Sequence, residues 1–254
     1  MKGIVFEKTG GLGTRVPTVI REGWNMCGRF DRHTPLSAFE DVVDGLSASE
    51  SHLIAESYNI APSQNAAVIR GSDRGPELVP LHWGFVPAWS KNKSLSRPIN
   101  ARGETLSEKA MFKDAFKSAR CLVLCDGYYE WQKSSEGSKT PFYITPVSDK
   151  PFVMAGLWAR NEALEGKPIE TFCIITVEAN ASCKEVHHRM PLILDVEHHR
   201  EWLVSKALAA DAKAAMLRVP DIAMRLTAVS RFVNSPANNS PQCIAPIHGS
   251  GESA

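Results

Sequence analysis

The chain has 254 residues, of which 43% are hydrophobic and 22% are charged. These fractions are typical of a folded globular protein and exclude a disordered, collagen-like or coiled-coil chain. Charged residues, glycine or proline interrupt every apolar run before it reaches the roughly 18 residues that a membrane-spanning helix needs. With 29 basic and 28 acidic residues the formal net charge is +1, so any site for nucleic acid must be a local patch.

Cysteine content and the amino-terminal segment indicate the compartment. Residues 1–25 lack the continuous apolar core of a secretory signal, because glycine, proline and arginine interrupt them. Six cysteines are too sparse for a disulfide scaffold in a chain of this length, so a cytoplasmic location is expected. Cys121 and Cys125 lie in one apolar run and are predicted to be buried thiols rather than zinc ligands.

Four segments have the apolar spacing of helices. The first, residues 36–46, follows a threonine and a proline that suit a helix start. The second begins with capping-box spacing at Thr105 and Glu108. The third begins after Asp195, and the fourth is the alanine-rich segment 208–217.

Runs of β-branched and aromatic residues predict the strands. They lie at residues 66–69, 78–87, 121–131, 141–144, 152–159, 171–177, 191–194 and 225–229. Most of these runs follow one another without a helix between them, which favours antiparallel pairing. The sequence therefore predicts a single α+β domain whose mostly antiparallel sheets are barrel-like, with helices packed outside.

Cys27 follows Met26 in the segment MCGRF, and removal of Met26 as an initiator methionine would make Cys27 the first residue. An amino-terminal cysteine carries a thiol beside an α-amine, and the amine's pKa of about 8 leaves much of it uncharged at neutral pH. Such an amine attacks an aldehyde to form an imine, and the thiol then closes a thiazolidine ring in an intramolecular step. The alternative is an internal cysteine at the start of a strand.

Six motifs occur together in a fixed order along the chain. They are MCGRF at 26–30, YNIAPSQ at 58–64, WGFVPAW at 83–89, PINARGET at 98–105, CDGYYEW at 125–131 and HHRMP at 187–191. Together they resemble the SOS-response-associated peptidase (SRAP) family of abasic-site processing proteins. The resemblance implies an SRAP domain at residues 26–248, preceded by an extension at 1–25 and followed by a tail at 249–254.

The resemblance implies a protein that binds abasic sites in single-stranded DNA, links them covalently to itself and thereby shields the lesion. Autopeptidase and lyase activities are further expectations. Matched by motif, Cys27 is the nucleophile and Asn100 holds the amine or the opened sugar. Glu130 transfers protons, and His187 assists sugar ring opening and adduct reversal, with the neighbouring His188 left open as the alternative. These roles make chemical sense, because the closed hemiacetal must open before an amine reaches its carbonyl and both steps move protons.

Each of these assignments has a structural alternative. Glu130 precedes a tryptophan at a strand end, a position typical of a solvated edge residue. His187 and His188 suit an ordinary loop, and Asn100 suits a turn.

Contact with DNA requires cations and flat rings. Three arginines within the motifs are expected to bind phosphates: Arg29, Arg102 and Arg189. Two tryptophans, with Phe85 as a weaker candidate, are expected to stack on or wedge between bases flanking the lesion: Trp89 and Trp131. Two others in apolar runs are predicted to be core residues: Trp83 and Trp158.

The predicted partner is therefore single-stranded DNA that contains abasic sites, and the protein is expected to associate with the nucleoid when bound. No membrane, cofactor or metal is expected, and the protein is expected to be a monomer. His198 and His199 are adjacent, whereas a helical zinc pair needs i, i+4 spacing, so both are assigned to a solvated helix face.

The proposed amine exists only if the residues before Cys27 are absent from the mature protein. Either a leader is cleaved off or translation starts at Met26. We favour the second, because codons for residues 21–23 can form a purine-rich ribosome-binding sequence. Two other functions stay open: a cysteine peptidase that uses Cys27 and His187 and removes its own leader, and a noncovalent module that binds single-stranded DNA.

Overall fold

The computed structural model describes residues 28–39, 55–72, 75–162, 164, 166–204, 210, 213–214 and 222–247. Cys27 lies outside the described residues. So do most of the predicted helix at 36–46 and nearly all of the one at 208–217, and of the former the structure describes a 3₁₀ turn at Leu36–Phe39.

Strands dominate the described part of the chain. In chain order they are β1 (Arg29–Arg32), β2 (Ser57–Ile60), β3 (Asn65–Ser72), β4 (Gly75–Trp83), β5 (Asn100–Arg102), β6 (Arg120–Cys125), β7 (Gly127–Lys133), β8 (Lys139–Pro146), β9 (Phe152–Asn161), β10 (Ile169–Glu178), β11 (Arg189–Pro191) and β12 (Met224–Ala228). Two α-helices are described, α1 (Lys113–Ser118) and α2 (Val196–Leu203). Short 3₁₀ turns follow β5, β10 and β12, at Gly103–Thr105, Cys183–Glu185, Arg231–Asn234 and Pro241–Cys243.

The strands form two sheets. Five strands make an antiparallel sheet in the order β12–β8–β7–β1–β2. In the second sheet β3, β4, β10, β9 and β6 close into a ring, because β10 pairs with both β9 and β4, while β5 and β11 add to β10. Only the pairs of β10 with β4 and β5 are parallel among the described strands. The predicted α+β domain with mostly antiparallel strands is confirmed.

Strand alternation divides the core into two clusters, because successive side chains of a strand point to opposite faces. One face of the ring, represented by Val68 and Phe172, packs against the five-stranded sheet, and Trp83 lies 5.1 Å from Phe30 between ring centroids. The other face packs against the helices through Phe116 and Trp202. Burial of each such side chain contributes about 1.5–3 kcal/mol, so both sheets depend on the shared core.

The single strand predicted at 121–131 is two strands, β6 in the ring and β7 in the five-stranded sheet. Asp126 forms the corner between them, because its Oδ2 accepts hydrogen bonds from the amides of His33 and Thr34 at 2.7 and 2.8 Å. Gly127 is required next, since a Cβ there would lie 2.3 Å from the ring of Tyr143. The polar corner thus moves the chain from one sheet to the other.

The predicted helix starts are partly wrong. The capping box at Thr105 is not formed: α1 begins at Lys113, and Thr105 is the last residue of a 3₁₀ turn that the buried Leu106 follows. Packing of that leucine into the core therefore overrides the local capping signal. The helix predicted after Asp195 is confirmed as α2. Its His199 is buried, with Nε2 2.9 Å from the carbonyl of Leu194, so assigning it to a solvated face is wrong.

The structure confirms the predicted burial of several residues and contradicts one predicted DNA contact. Trp83, Cys121 and Cys125 are buried, and Trp158 is partly buried beneath the guanidinium of Arg70. Phe85 is fully buried, so the weaker expectation that it stacks on DNA is wrong. Among the described helices, none has the length and apolar character needed to cross a bilayer.

Candidate functional site

The first residues of β1 lie directly beside Glu130. Arg29 pairs with Tyr129 and Phe30 with Tyr128 in antiparallel register, and continuing that register by one residue sets Gly28 opposite Glu130. Glu130 is 3% exposed, which excludes the solvated edge position that its sequence context allowed. A nearly dry carboxyl group therefore lies one residue along β7 from Tyr129, the partner of Arg29 at the start of β1.

Glu130 shares its sheet face with Tyr128, because the two are separated by one residue along β7. Both are near Cys183, whose Sγ is 3.3 Å from the hydroxyl oxygen of Tyr128. Burial, with a further contribution from the charge of Glu130, raises the pKa of the Cys183 thiol, so this thiol stays protonated. The 3₁₀ turn at Cys183–Glu185 thus lies near Glu130, and the segment that carries His187 and His188 follows this turn.

Asn100 begins β5 rather than making a turn. It pairs with Ile174 of β10, a residue of the core cluster shared by the two sheets, so Asn100 lies on that same face. Arg102 lies two residues further along the strand and is exposed. The short strand β5 therefore places the amide and the guanidinium on one side of the sheet.

His187 is half-buried in the loop before β11, whereas His188 is exposed. The Nδ1 atom of His187 lies 3.1 Å from the amide nitrogen of Arg189 and 3.3 Å from the carbonyl oxygen of the same residue. A donor and an acceptor for Nδ1 are therefore both at hand, so either neutral tautomer is accommodated and Nε2 can hold or release a proton. Burial lowers the pKa of His187, with a smaller lowering from the charges of His188 and Arg189.

Arg189 is engaged by protein groups. Its guanidinium binds Glu104 in a bidentate pair, with Nη2 2.9 Å from Oε2, and Nη2 also donates to the carbonyl of Thr176 at 2.5 Å. The hydrogen bond from Arg189 lowers the pKa of Glu104. A DNA phosphate at Arg189 would have to compete with this carboxylate.

Arg29 is also engaged within the protein. Its Nη1 donates to Asn59 Oδ1 at 2.7 Å and to the carbonyl of Val233 at 2.8 Å, and Nη2 donates to the carbonyl of Asn234 at 3.0 Å. Asn59 is 1% exposed, and its Nδ2 lies within 3.1 Å of three carbonyl oxygens, those of Val233, Ser235 and Asn238. We call this set of contacts between Arg29, Asn59 and residues 233–238 the clamp.

Further side chains hold the same carboxy-terminal segment against the five-stranded sheet. Trp131 Nε1 donates to Asn234 Oδ1 at 2.9 Å, and Asn239 Oδ1 accepts from the amide of Tyr58 at 2.7 Å. The indole edge of Trp131 is thus occupied, and the side chain is only partly exposed. The clamp fixes the start of β1, which follows Cys27 by two residues in the sequence.

Trp89 is 55% exposed on the segment between β4 and β5. Asn161, which is fully buried at the end of β9, donates Nδ2 hydrogen bonds to the carbonyls of Pro87 and Ser90 at 2.9 and 2.8 Å. The loop is therefore held in place although its aromatic side chain faces solvent.

An acid–histidine group lies at the end of β1, where Asp31 is buried and His33 is partly buried. His33 Nδ1 is 2.5 Å from Asp31 Oδ2, and the hydroxyl of Tyr143 donates to the same oxygen at 3.1 Å. Burial raises the pKa of Asp31 to about 7, and the hydrogen bond to Asp31 raises that of His33. Asp31, His33 and Asp126 lie close enough together to hold a metal ion, and so do Asp195, Glu197 and His198 at the start of α2. The hydrogen bonds described above already engage the first set.

The structure thus brings Glu130 next to β1 and gathers Asn100, Arg102, His187 and Arg189 around the carboxy-terminal half of β10. Sequence reasoning missed Asn59 and Glu104, which hold two of the three arginines expected at phosphates. Asn59 lies in YNIAPSQ and Glu104 in PINARGET, so both motifs contained the signal, but their partners are distant in sequence.

Comparison with known proteins defines the class of this fold. The model of the SOS response associated peptidase (SRAP) family matches residues 26–236. A solved protein of Bacteroides thetaiotaomicron superposes with a TM-score of 0.74 at 26% identity, covering 87% of this chain and all of that one. The chain belongs to the SRAP family.

Two abasic site processing proteins are similar to this chain over most of its length. The chain is 38% identical over 224 residues to the abasic site processing protein YoqW of Bacillus subtilis, covering 86% of this chain and 99% of that one. It is 30% identical over 228 residues to the abasic site processing protein YedK of Escherichia coli, covering 87% of this chain and all of the relative.

Proposed function

We propose that this protein processes abasic sites in single-stranded DNA by forming a thiazolidine crosslink through Cys27 as its first residue. The relatives named abasic site processing proteins support an abasic site as the substrate. Membership of the SRAP family over residues 26–236 supports a chemistry that this chain shares with those relatives. The observation that carries the proposal is the register of β1 with β7: Arg29 pairs with Tyr129, and the next residue of β7 is the buried Glu130.

The proposed reaction begins with opening of the sugar. His187 protonates the ring oxygen while the anomeric hydroxyl gives its proton to solvent, so that the hemiacetal opens to the aldehyde, and the Cys27 amine then adds to the carbonyl carbon. Glu130 accepts the protons that the amine nitrogen loses and returns them to the former carbonyl oxygen, which departs as water and leaves the imine. The thiol adds across the carbon–nitrogen double bond, its proton passes to that nitrogen, and the ring closes. Asn100 holds the amine or the opened sugar by hydrogen bonding.

Direct DNA contacts are assigned by exposure. Trp89 and Arg102 are exposed, so we assign base stacking to the first and a phosphate to the second. Arg29, Trp131 and Arg189 were predicted as DNA contacts too, but each already has a protein partner. We propose that these three shape the site and contact DNA only by exchanging those partners.

The decisive experiment incubates protein that starts at Cys27 with an oligonucleotide bearing one abasic site, followed by a denaturing gel. We expect a heat-stable shifted band that Cys27→Ala abolishes. Glu130→Gln and His187→Ala should each slow its formation about 100-fold, the scale of general acid–base catalysis. His188→Ala is the matched control and should leave the rate unchanged. Because the pKa of His187 is lowered, its protonated fraction, and with it the ring-opening rate, should rise as the pH falls below 6.5.

The same gel separates the alternatives. Retention of DNA without a heat-stable band would assign the protein to noncovalent binding of single strands. Cleavage of a peptide or of the leader without crosslinking would assign it to the cysteine peptidases. A crosslink formed equally well by Cys27→Ala would contradict the aminothiol chemistry.

A further inference from the structure

The 3₁₀ turn at Cys183–Glu185 contacts β7 at two points. At one end, the Sγ atom of Cys183 lies 3.3 Å from the hydroxyl oxygen of Tyr128. At the other end, Gln132 Nε2 donates a hydrogen bond to the carbonyl of Glu185 at 2.8 Å. We call residues 183–185 the bridging turn.

Glu130 lies between these two contacts. Tyr128, Glu130 and Gln132 alternate along β7, and the register with β8 is regular over all three. Their side chains therefore lie on one face of the five-stranded sheet, with Glu130 in the middle. The charge of Glu130 also contributes to the raised pKa of the Cys183 thiol, as expected of close neighbours. The bridging turn thus contacts β7 on both sides of the buried carboxyl group.

The bridging turn also holds His187. The carbonyl of Cys183 accepts hydrogen bonds from the amides of Val186 and His187 at 3.1 and 3.0 Å. The amide of Cys183 donates to Oδ1 of Asn180 at 3.0 Å, which fixes the other end of the same segment. Cys183 is 2% exposed, so little solvent reaches these groups. One residue therefore contacts β7 through its thiol and His187 through its backbone.

These contacts matter because Glu130 and His187 belong to different sheets. Glu130 is part of β7 in the five-stranded sheet, whereas His187 lies in the loop between β10 and β11 of the other sheet. Groups that act on one substrate must be held within about 0.5 Å of their productive positions, and a loop holds a side chain less precisely than a strand does. The bridging turn joins that loop directly to β7.

We infer that Cys183 and Gln132 are positioning residues, which hold His187 at a fixed place relative to Glu130 by binding the bridging turn to β7. The inference rests on the proposed function, in which His187 and Glu130 move protons on the same sugar. Loss of either contact should displace His187 and slow the steps in which it takes part, without changing how DNA binds.

The first test measures the single-turnover rate of crosslinking by protein that starts at Cys27, with the abasic-site oligonucleotide at saturation. Gln132 is partly exposed, so Gln132→Leu removes the amide donor without disturbing the core. The rate constant should fall about 10-fold, because a displacement of about 1 Å can cost on the order of 100-fold and the second contact remains. The affinity for an undamaged single strand should stay unchanged.

Variants of Cys183 provide a graded comparison. Cys183→Ala removes the contact with Tyr128 and should also slow crosslinking about 10-fold. Cys183→Ser keeps a donor and an acceptor for that hydroxyl and should recover the rate to within about twofold of the wild type. Ser182→Ala is the matched control, because Ser182 precedes the bridging turn and its side chain makes no capping hydrogen bond. Its rate should equal that of the wild type.

A double variant separates positioning from a general loss of structure. In a His187→Ala background there is no imidazole to position, so Gln132→Leu should not slow crosslinking further. If the contact only stabilised the fold, Gln132→Leu would slow crosslinking in both backgrounds by the same factor. That result would overturn the inference, and so would wild-type rates in both Gln132→Leu and Cys183→Ala.

Amide hydrogen exchange tests the same inference without DNA. The amides of Val186 and His187 should exchange about 10-fold faster in Gln132→Leu than in the wild type, because their acceptor is held less firmly. Unchanged exchange would overturn the inference even if crosslinking slowed. Faster exchange in this variant, combined with no crosslink by the wild type, would reject the proposed function and still support the placement of His187 by the bridging turn.

Discussion

The clamp and the segment at residues 87–98, which we call the basic loop, use polar side chains in opposite ways. In the clamp, Arg29 and Asn59 direct their hydrogen bonds at carbonyls of residues 233–238, and Asn59 is almost completely buried. In the basic loop, the buried Asn161 holds the backbone and leaves Lys91 and Lys93 in solvent. Sequence motifs pointed to the arginine of MCGRF as a DNA contact, yet protein acceptors hold that arginine, whereas Lys91 and Lys93 have no ion pair among the described residues.

The difference shows that a basic residue's role follows from its acceptors. A guanidinium already satisfied by carbonyls gains little from a phosphate, because binding would leave those buried carbonyls without a partner. An exposed ammonium gives up only water and counterions. The clamp should therefore govern stability and the position of β1, and the basic loop should govern affinity for DNA.

The largest effect is expected at the centre of the clamp. Asn59→Ala removes the donor shared by three carbonyls and the acceptor of Arg29, and should lower the free energy of unfolding by about 3 kcal/mol. Urea denaturation measures this change. Lys91→Gln is the contrasting control and should change stability by less than about 0.5 kcal/mol. A loss under 1 kcal/mol for Asn59→Ala would show that the clamp is not a stability element.

A reversal is expected between two arginines. Arg29→Gln should cost about 2 kcal/mol of stability, because its hydrogen bonds are internal. It should leave unchanged the salt slope of single-strand binding, which is the slope of log affinity for a single DNA strand against log salt concentration. Arg102→Gln, in an exposed position, should leave stability unchanged and lower the slope by about 0.7. If Arg29→Gln lowers the slope as well, Arg29 exchanges its acceptors for a phosphate and the original sequence prediction holds.

The smallest expected effect is a pH dependence of the free energy of unfolding that arises from Asp31 and His33 at the end of β1. The pKa values of Asp31 and His33 are both raised in the folded state, so the folded pair holds protons more tightly than the unfolded chain does. This contribution is complete at low pH and is lost as the pH rises through about 7 for Asp31 and above 6.5 for His33. Between pH 6.5 and 8 the free energy of unfolding should fall by about 1 kcal/mol.

Asp31→Asn should flatten this profile, because it removes one titrating group and the hydrogen bond that raises the pKa of the other. His188→Gln, at an exposed histidine, should keep the wild-type slope. A wild-type stability that rises across this range would mean that the buried pair does not retain its proton on folding.

Much of the fold could be predicted because its signals are local. Strand propensity and turn residues mark most strands of both sheets, and the missed strands β1, β2 and β5 are only four, four and three residues long. The helix at 105 was misplaced because a local capping signal competes with burial of Leu106, which depends on distant residues. The division of 121–131 into two strands likewise depends on Asp126 binding the amides of His33 and Thr34, far away in sequence.

For the candidate site, the sequence by itself determined the residue types, their order in the motifs and hence the family, since these are properties of the chain alone. Only the tertiary structure decided which side chains are dry, which are paired and which face solvent. The folded chain buries Glu130. Glu104 binds Arg189 from 85 positions away, and Asn59 binds Arg29 from 30 positions away. Hydrogen-bond partners and solvent access are set by such long-range packing, and they decide what each polar group can do.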